Sequence, residues 1–190
     1  MSLGLYVEGR SDKDTIPVLI KKLGYRLRIV SKAVPQSELL IGDKMARHLS
    51  ELLREHNDVD LVLVCIDSER VDPSVTEQRV RPVQRRLNET SSVPVRYAVV
   101  DHALEGWLAC DEDAVQSVLG SRARVNIRSN PENHPTPADL LERVFRENGR
   151  KFRKTRDNPN IAERVSVERV ASKSPTFRRF AEILGHPVSA

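Results

Sequence analysis

A chain of 190 residues has room for one domain and a small appendage. Its 39% apolar fraction falls in short runs. None approaches the roughly 18 apolar residues of a membrane span, and Met1-Ser2-Leu3-Gly4 reads as no secretory signal. The net charge of +4 is unevenly spread: residues 1–119 carry 16 basic and 19 acidic side chains (−3), and residues 120–190 carry 15 and 8 (+7). A basic segment after an acidic one suits a polyanionic partner, and equally suits ordinary solvated arginine-rich helices. Cys65, inside an apolar run, and Cys110 have no CxxC partner. Buried thiols in a reducing cytoplasm are expected.

The chain opens with a strand over about residues 3–8. Ile16, Leu19, Ile20 and Leu23 follow at helical spacing, and Gly24 closes that helix. Pro17 is tolerated only near a first turn, so the helix starts around Asp14 or is distorted there. A second strand is expected at Leu27–Ser31. Gly42-Asp43 opens a helix striped by Met45, Leu49, Leu52 and Leu53. The run Leu61-Val62-Leu63-Val64-Cys65-Ile66 is continuously apolar, as in a strand covered on both faces. An arginine-rich helix spans about 75–89, with Val80, Val83 and Leu87 inward and an irregularity at Pro82. Val95–Val100 is the next strand. This β-α-β-α-β-α-β order argues for an α/β fold, a parallel sheet with helices on both faces.

Beyond it the pattern is helical. Leu104, Trp107 and Leu108 lead into Asp111–Leu119, and Pro131, Pro135 and Pro137 punctuate a loop. A helix over 138–148 ends at Gly149. Asn158-Pro159 and Ser166 look like helix starts. Ser174-Pro175 begins a last helix, striped by Phe177, Phe180, Ala181 and Leu184. Residues 1–119 read as a metal-binding core and 120–190 as a basic helical appendage packed on it.

Ligands bind an open parallel sheet at the carboxyl ends of its strands. Two acidic strings lie there: Glu8-Gly9-Arg10-Ser11-Asp12 and Asp67-Ser68-Glu69. Gathered carboxylates repel unless a cation neutralises them, and carboxylate, water and substrate phosphate are what magnesium prefers. Glu8 precedes Gly9, which allows a tight turn and close backbone approach; the alternative is a surface glutamate. Asp12 is either a second acidic contributor or a favourable charge at a helix N-terminus. Asp67 and Glu69 face one way if the chain stays extended, and otherwise form a polar turn before Pro73. Glu105 is either a further acidic contributor or an exposed helix residue, with Asp101 and His102 closer to the preceding strand end. The five histidines show no metal-ligand spacing. Arg79, Arg81, Arg85 and Arg86 share a helix but spread over more than one face. Arg150, Lys151, Arg153, Lys154 and Arg156 crowd around Phe152, which either stacks on a base or belongs to the core. A lysine in this string can stabilise charge on a transferring phosphoryl group.

The string VEGRSD before a helix, followed by an apolar strand ending in Asp67-x-Glu69, resembles the Toprim domain of topoisomerases, bacterial primases, recombination proteins and overcoming-lysogenization-defect nucleases. With LEGWLACDEDAV, KFRKTRDNPNIAERV and SPTFRRFAEIL in order, nearly the whole chain is similar to a prokaryotic family of stand-alone Toprim-like proteins catalogued as a domain of unknown function. The resemblance implies a Toprim-like (Rossmann-like) sheet of about four parallel strands. It implies Glu8 as general acid/base or metal ligand, Asp67 and Glu69 on Mg2+ (with Mn2+ as substitute), Glu105 at a further acidic position and Lys154 at a basic, catalytic one. One departure stands out. Toprim domains usually carry DxD, and the longer Glu69 shifts a metal or reaches it through water. The sequence carries no tyrosine-nucleophile, zinc-ribbon or ATPase module, which argues against a topoisomerase, a primase or a complete overcoming-lysogenization-defect enzyme. An ATPase would be a separate partner protein.

The expected function is a cytoplasmic Mg2+-dependent nuclease or related phosphodiester-acting enzyme. Glu8, Asp12, Asp67, Glu69 and Glu105 would serve the metal, and Glu8 and Lys154 catalysis. Arg150, Lys151, Arg153, Lys154 and Arg156 would bind DNA or RNA. Two alternatives stand beside it: a non-catalytic Toprim-like module in phage defence or DNA repair, and a small-molecule phosphotransfer enzyme.

Overall fold

Strands β1 (Ser2–Val7), β2 (Arg28–Ala33), β3 (Val59–Asp67) and β4 (Val95–Val100) form one parallel sheet in the order β2-β1-β3-β4. The structure, a computed structural model, describes residues 2–127, 130–186 and 188. Strand side chains alternate between two cores. Leu3, Leu5, Val7, Leu63, Cys65, Ala98 and Val100 face one side; Tyr6, Val62, Val64, Ile66, Tyr97 and Val99 face the other. The first side is covered by α1 (Arg10–Lys22), α5 (Glu105–Ala109), α6 (Glu112–Leu119), α7 (Pro137–Glu147), α8 (Lys154–Ala162), α9 (Val167–Lys173) and α10 (Pro175–Ile183). The second is covered by α2 (Gln36–Leu39), α3 (Gly42–Glu55) and α4 (Pro73–Thr90). Burial on both faces is why β3 reads as an unbroken apolar run.

This connectivity creates the site. From β1 the chain crosses one face through α1 to β2, then returns over the other face through α2 and α3 to β3. The connections therefore part between β1 and β3. At such a switch point a crevice opens at the carboxyl ends of the two strands.

Three local features differ from the expectations. Helix α1 begins at Arg10, a turn before Asp14, and Pro17 lies inside it. The Gly9 N–H donates to Asp12 Oδ2 at 3.2 Å, which caps the helix ahead of the proline. Helix α8 begins at Lys154, not at Asn158, because the Arg153 N–H donates to Asp157 Oδ2 at 2.7 Å. The four-residue α2 was not expected; one turn is too short to carry a periodic signal.

Helices α7 to α10 share the first core with α1 and the sheet. Trp107 packs edge-on against Phe177 at 5.2 Å and tilted against Phe180 at 5.0 Å. Phe152 is buried and meets Phe145 edge-on at 5.0 Å, so it belongs to the core and not to a stacking surface. Cys65 and Cys110 are free and buried, and burial pushes the Cys110 thiol up to about 12. Among the described residues no helix is long and apolar enough to cross a membrane.

Candidate active site

Glu8 follows β1 directly and is half-buried. Its Oε1 accepts from the Asp67 N–H at 2.7 Å and from Gln36 Nε2 at 3.0 Å. The same Gln36 amide donates to the Asp67 carbonyl at 2.9 Å. One glutamine of α2 thus ties the ends of β1 and β3 together. Burial raises the Glu8 carboxyl to about 6, although both donors pull it down. The Gly9 backbone is extended, with φ −132, so no left-handed turn requires the glycine. A Cβ there would stand 3.3 Å from Asp12 Oδ2, so its use is close approach to that carboxylate.

Asp12 occupies the helix N-terminus and also lies against the other acids. It caps α1 through Gly9 and faces the acidic cluster. Burial and then the negative charge of Glu105 raise it to about 6, against the Gly9 amide and Lys154. Asp67 ends β3. Burial, followed by Asp12, Glu8 and Glu105, pushes its carboxyl well above the usual range, and Lys154 opposes the shift. Glu105 is the first residue of α5 and only 2% exposed, not a surface residue. Its Oε1 accepts from Lys154 Nζ at 3.1 Å and from Asn158 Nδ2 at 2.8 Å. Asn158 also donates to Ser11 Oγ at 3.0 Å. Lys154 and Asn158 lie one turn apart on α8 and present one face to Glu105.

Other candidates fall at the rim. The chain does not stay extended to Glu69, which takes a left-handed φ of +54 and is exposed. The premise that Asp67 and Glu69 face one way therefore does not hold. Glu69 adds only the least of the influences that raise Glu8. Asp101 and His102 brace this turn. The Ser68 N–H bonds the Val100 carbonyl at 2.8 Å, the His102 N–H bonds Ser68 Oγ at 2.8 Å, and the Glu69 N–H bonds the His102 carbonyl at 3.0 Å. In the basic string, Arg150 donates to the Val118 carbonyl at 2.6 Å and lies over the Phe145 ring. Arg156 pairs with buried Asp157 at 2.8 Å. The side chains of Lys151 and Arg153 are exposed and engage no acid among the described residues.

Glu8, Asp12, Glu105 and Lys154 thus converge on Asp67. Four carboxyl groups against one ammonium leave a deficit of positive charge; burial first, and then their mutual repulsion, raise Glu8, Asp12 and Asp67. The donors are all oxygen, which suits a hard cation. Among the described residues no three Asp, Glu, His or Cys side chains are already spaced around one ion. Magnesium keeps several waters and usually takes one or two carboxylates, so the donor set fits that ion without a closed protein cage. The Asp67 carboxylate accepts no hydrogen bond among the described residues, and neither do Glu8 Oε2 or Asp12 Oδ1. Gln36, Ser11 and Asn158 are site residues that the sequence reading missed. They carry no charge, and nothing in their spacing distinguishes them from ordinary polar surface.

Residues 7–185 match the family described as "Domain of unknown function (DUF4276)". The chain belongs to the DUF4276 family. The match runs from the end of β1 past α10 and so includes every site residue described above. Among solved structures, the DUF4276 chain is similar to the C-terminal region of the Burkholderia pseudomallei OLD protein, at 17% identity over 96% of each chain and a TM-score of 0.53. A likeness at that identity shows the fold: a four-stranded parallel sheet between helices, as the resemblance implied. No curated protein matches the DUF4276 chain.

Proposed function

We propose that this protein is a divalent-metal-dependent nuclease, or a closely related phosphodiester-acting enzyme, of the Toprim type. The observation that carries the proposal is the convergence of Glu8, Asp12, Glu105 and Lys154 on Asp67 at the switch point of a parallel sheet. The fold likeness to the OLD C-terminal region supports it.

Asp12, Asp67 and Glu105 would hold Mg2+ or Mn2+, with Glu69 at the rim and Glu8 beside them as the general base. Such an ion supplies Lewis-acid polarisation of a phosphodiester and a lowered pKa for bound water. The remaining roles belong to the chain. Glu8 titrates near 6, close enough to neutrality to exchange a proton with an attacking water. Its Oε1 is held by Asp67 and Gln36, which leaves Oε2 as the atom that takes the proton. Lys154 presents positive charge where the transferring phosphoryl group gains negative charge, and buried Glu105 holds it there. Lys151 and Arg153, exposed beside Lys154, would bind adjoining phosphates of DNA or RNA. Arg150 and Arg156, engaged within the chain, would keep the string in shape. The similar OLD structure is one region of a larger protein. A separate ATPase is the partner protein proposed here.

Incubation with single- and double-stranded DNA and RNA plus Mn2+ tests the proposal. Cleavage that chelator abolishes is expected. Glu8→Gln should reduce it by about 10²-fold or more while the variant still folds and melts no lower than the parent. Salt-sensitive binding without cleavage on any substrate would replace the enzyme with a non-catalytic binding module. Neither cleavage nor binding would leave a small-molecule phosphotransfer enzyme as the use of the site.

A further inference from the structure

Building on the metal-site proposal above, we infer that Asn158 belongs to the ligand-binding machinery. It positions Glu105, and its carbonyl oxygen is the acceptor for a water that arrives coordinated to the bound divalent cation.

Asn158 is fully buried. Its Nδ2 donates to Glu105 Oε1 and to Ser11 Oγ, and so joins α8, α5 and α1. Its Oδ1 is buried and has no hydrogen-bond partner. Among the described residues only one other buried side-chain atom shares that condition, Ser2 Oγ, at the opposite end of β1. An unpaired buried amide oxygen costs about 1–3 kcal/mol, and most native structures avoid it.

The orientation of the amide is settled by its neighbours. Turned over, Oδ1 would confront the Glu105 carboxylate, and the NH2 would lose both acceptors. The orphan oxygen therefore stays. Nδ2 and Oδ1 share one small planar amide, so the orphan lies beside the nitrogen that holds Glu105, whose charge in turn bears on Asp12 and Asp67. A water on a divalent cation is a strong donor that is missing from the metal-free protein, so the orphan acceptor matches what the ion would bring. Glu105 is thereby held twice at Oε1, by charge from Lys154 and by geometry from Asn158. Residues that orient ligands in this way typically change metal affinity 10–100-fold when removed.

A purely structural tie between three helices would explain the two donated bonds but not the unpaired oxygen. The discriminating experiment measures Mn2+ affinity of the full chain by calorimetry, beside the metal-free thermal transition. It compares the parent with Asn158→Leu, Asn158→Ala and Ser11→Ala. Mn2+ affinity should fall about 10–100-fold in both Asn158 variants. It should fall less in Ser11→Ala, which loosens the amide and keeps the acceptor. Asn158→Leu, which fills the space without an orphan, should melt no lower than Asn158→Ala. If one Asn158 variant does not fold, the other and Ser11→Ala still decide. Mn2+ affinity within twofold of the parent in every folded variant, with only the melting temperature lowered, would overturn the inference and leave the metal site standing. A parent chain that binds no Mn2+ would overturn the metal-site proposal itself, and this inference with it.

Discussion

Glu8 is held between burial, which favours its neutral form, and two hydrogen-bond donors, which favour its charge. Burial wins, and the carboxyl moves from 4.5 to about 6. A group whose pKa is raised on folding contributes stability fully below its unfolded value and loses it as pH rises through the folded value. For Glu8 that window is about pH 4.5 to 6. Its ionisation should cost the metal-free fold on the order of 2 kcal/mol. Glu8→Gln keeps an acceptor for Asp67 N–H and Gln36 and cannot ionise. The metal-free variant should therefore match the parent near pH 4 and become more stable than it above pH 6, which chemical denaturation at a series of pH values would show. A stability difference that stays flat across the window would mean that Glu8 is not held in a desolvated, acidic site. At this scale the sequence was informative about charge and silent about neutral partners. Glu8, Asp12, Asp67 and Glu105 could be proposed because each is an acid near a strand end. Gln36, Ser11 and Asn158 could not, because an amide or a hydroxyl becomes a site residue only through what it touches. Glu69 follows the polar-turn alternative, because its left-handed backbone depends on a turn closed by His102 from another strand end.

Helix α8 does two jobs with one face. Its first turn carries Lys154 to Glu105, and its second carries Asn158 to the same oxygen. The string before it divides by the same logic: Arg150 and Arg156 are engaged within the chain, and Lys151 and Arg153 are not. Neutralising Lys151 and Arg153 together should weaken nucleic-acid binding and flatten its salt dependence. The log–log slope should fall by about 0.7–0.9 for each phosphate that the variant no longer neutralises. Lys154→Met should instead reduce cleavage more than binding. An unchanged affinity and slope in the double variant would move the nucleic-acid surface elsewhere, first to the exposed arginines of α4. The start of α8 was hidden in the sequence for a physical reason. The string of basic residues masks a backbone cap supplied by Asp157, whose second partner is Arg156. By contrast, α10 was plain from its start, since Ser174 accepts from the Phe177 N–H at 2.9 Å and Pro175 takes the first helical position.

Across the whole molecule, the decisive feature is the order of the strands. Alternation of strand and helix predicts a parallel sheet, and β4 was legible to the residue because its apolar run is sharply bounded. The order β2-β1-β3-β4 follows from which helix covers which face, a property of packing that no local pattern carries. That order sets the ends of β1 and β3 side by side, and Lys154 and Asn158, far along the chain, close over them. The proposed function has a cation neutralise this cluster of carboxylates, which share burial and one lysine among the described residues. Crystals grown with Mn2+, mapped by anomalous scattering, test this most directly. The account predicts an ordered ion at the carboxyl ends of β1 and β3, in contact with carboxylate oxygens of Asp12, Asp67 or Glu105. Ordered Mn2+ only elsewhere, or none there at saturating metal, would contradict it.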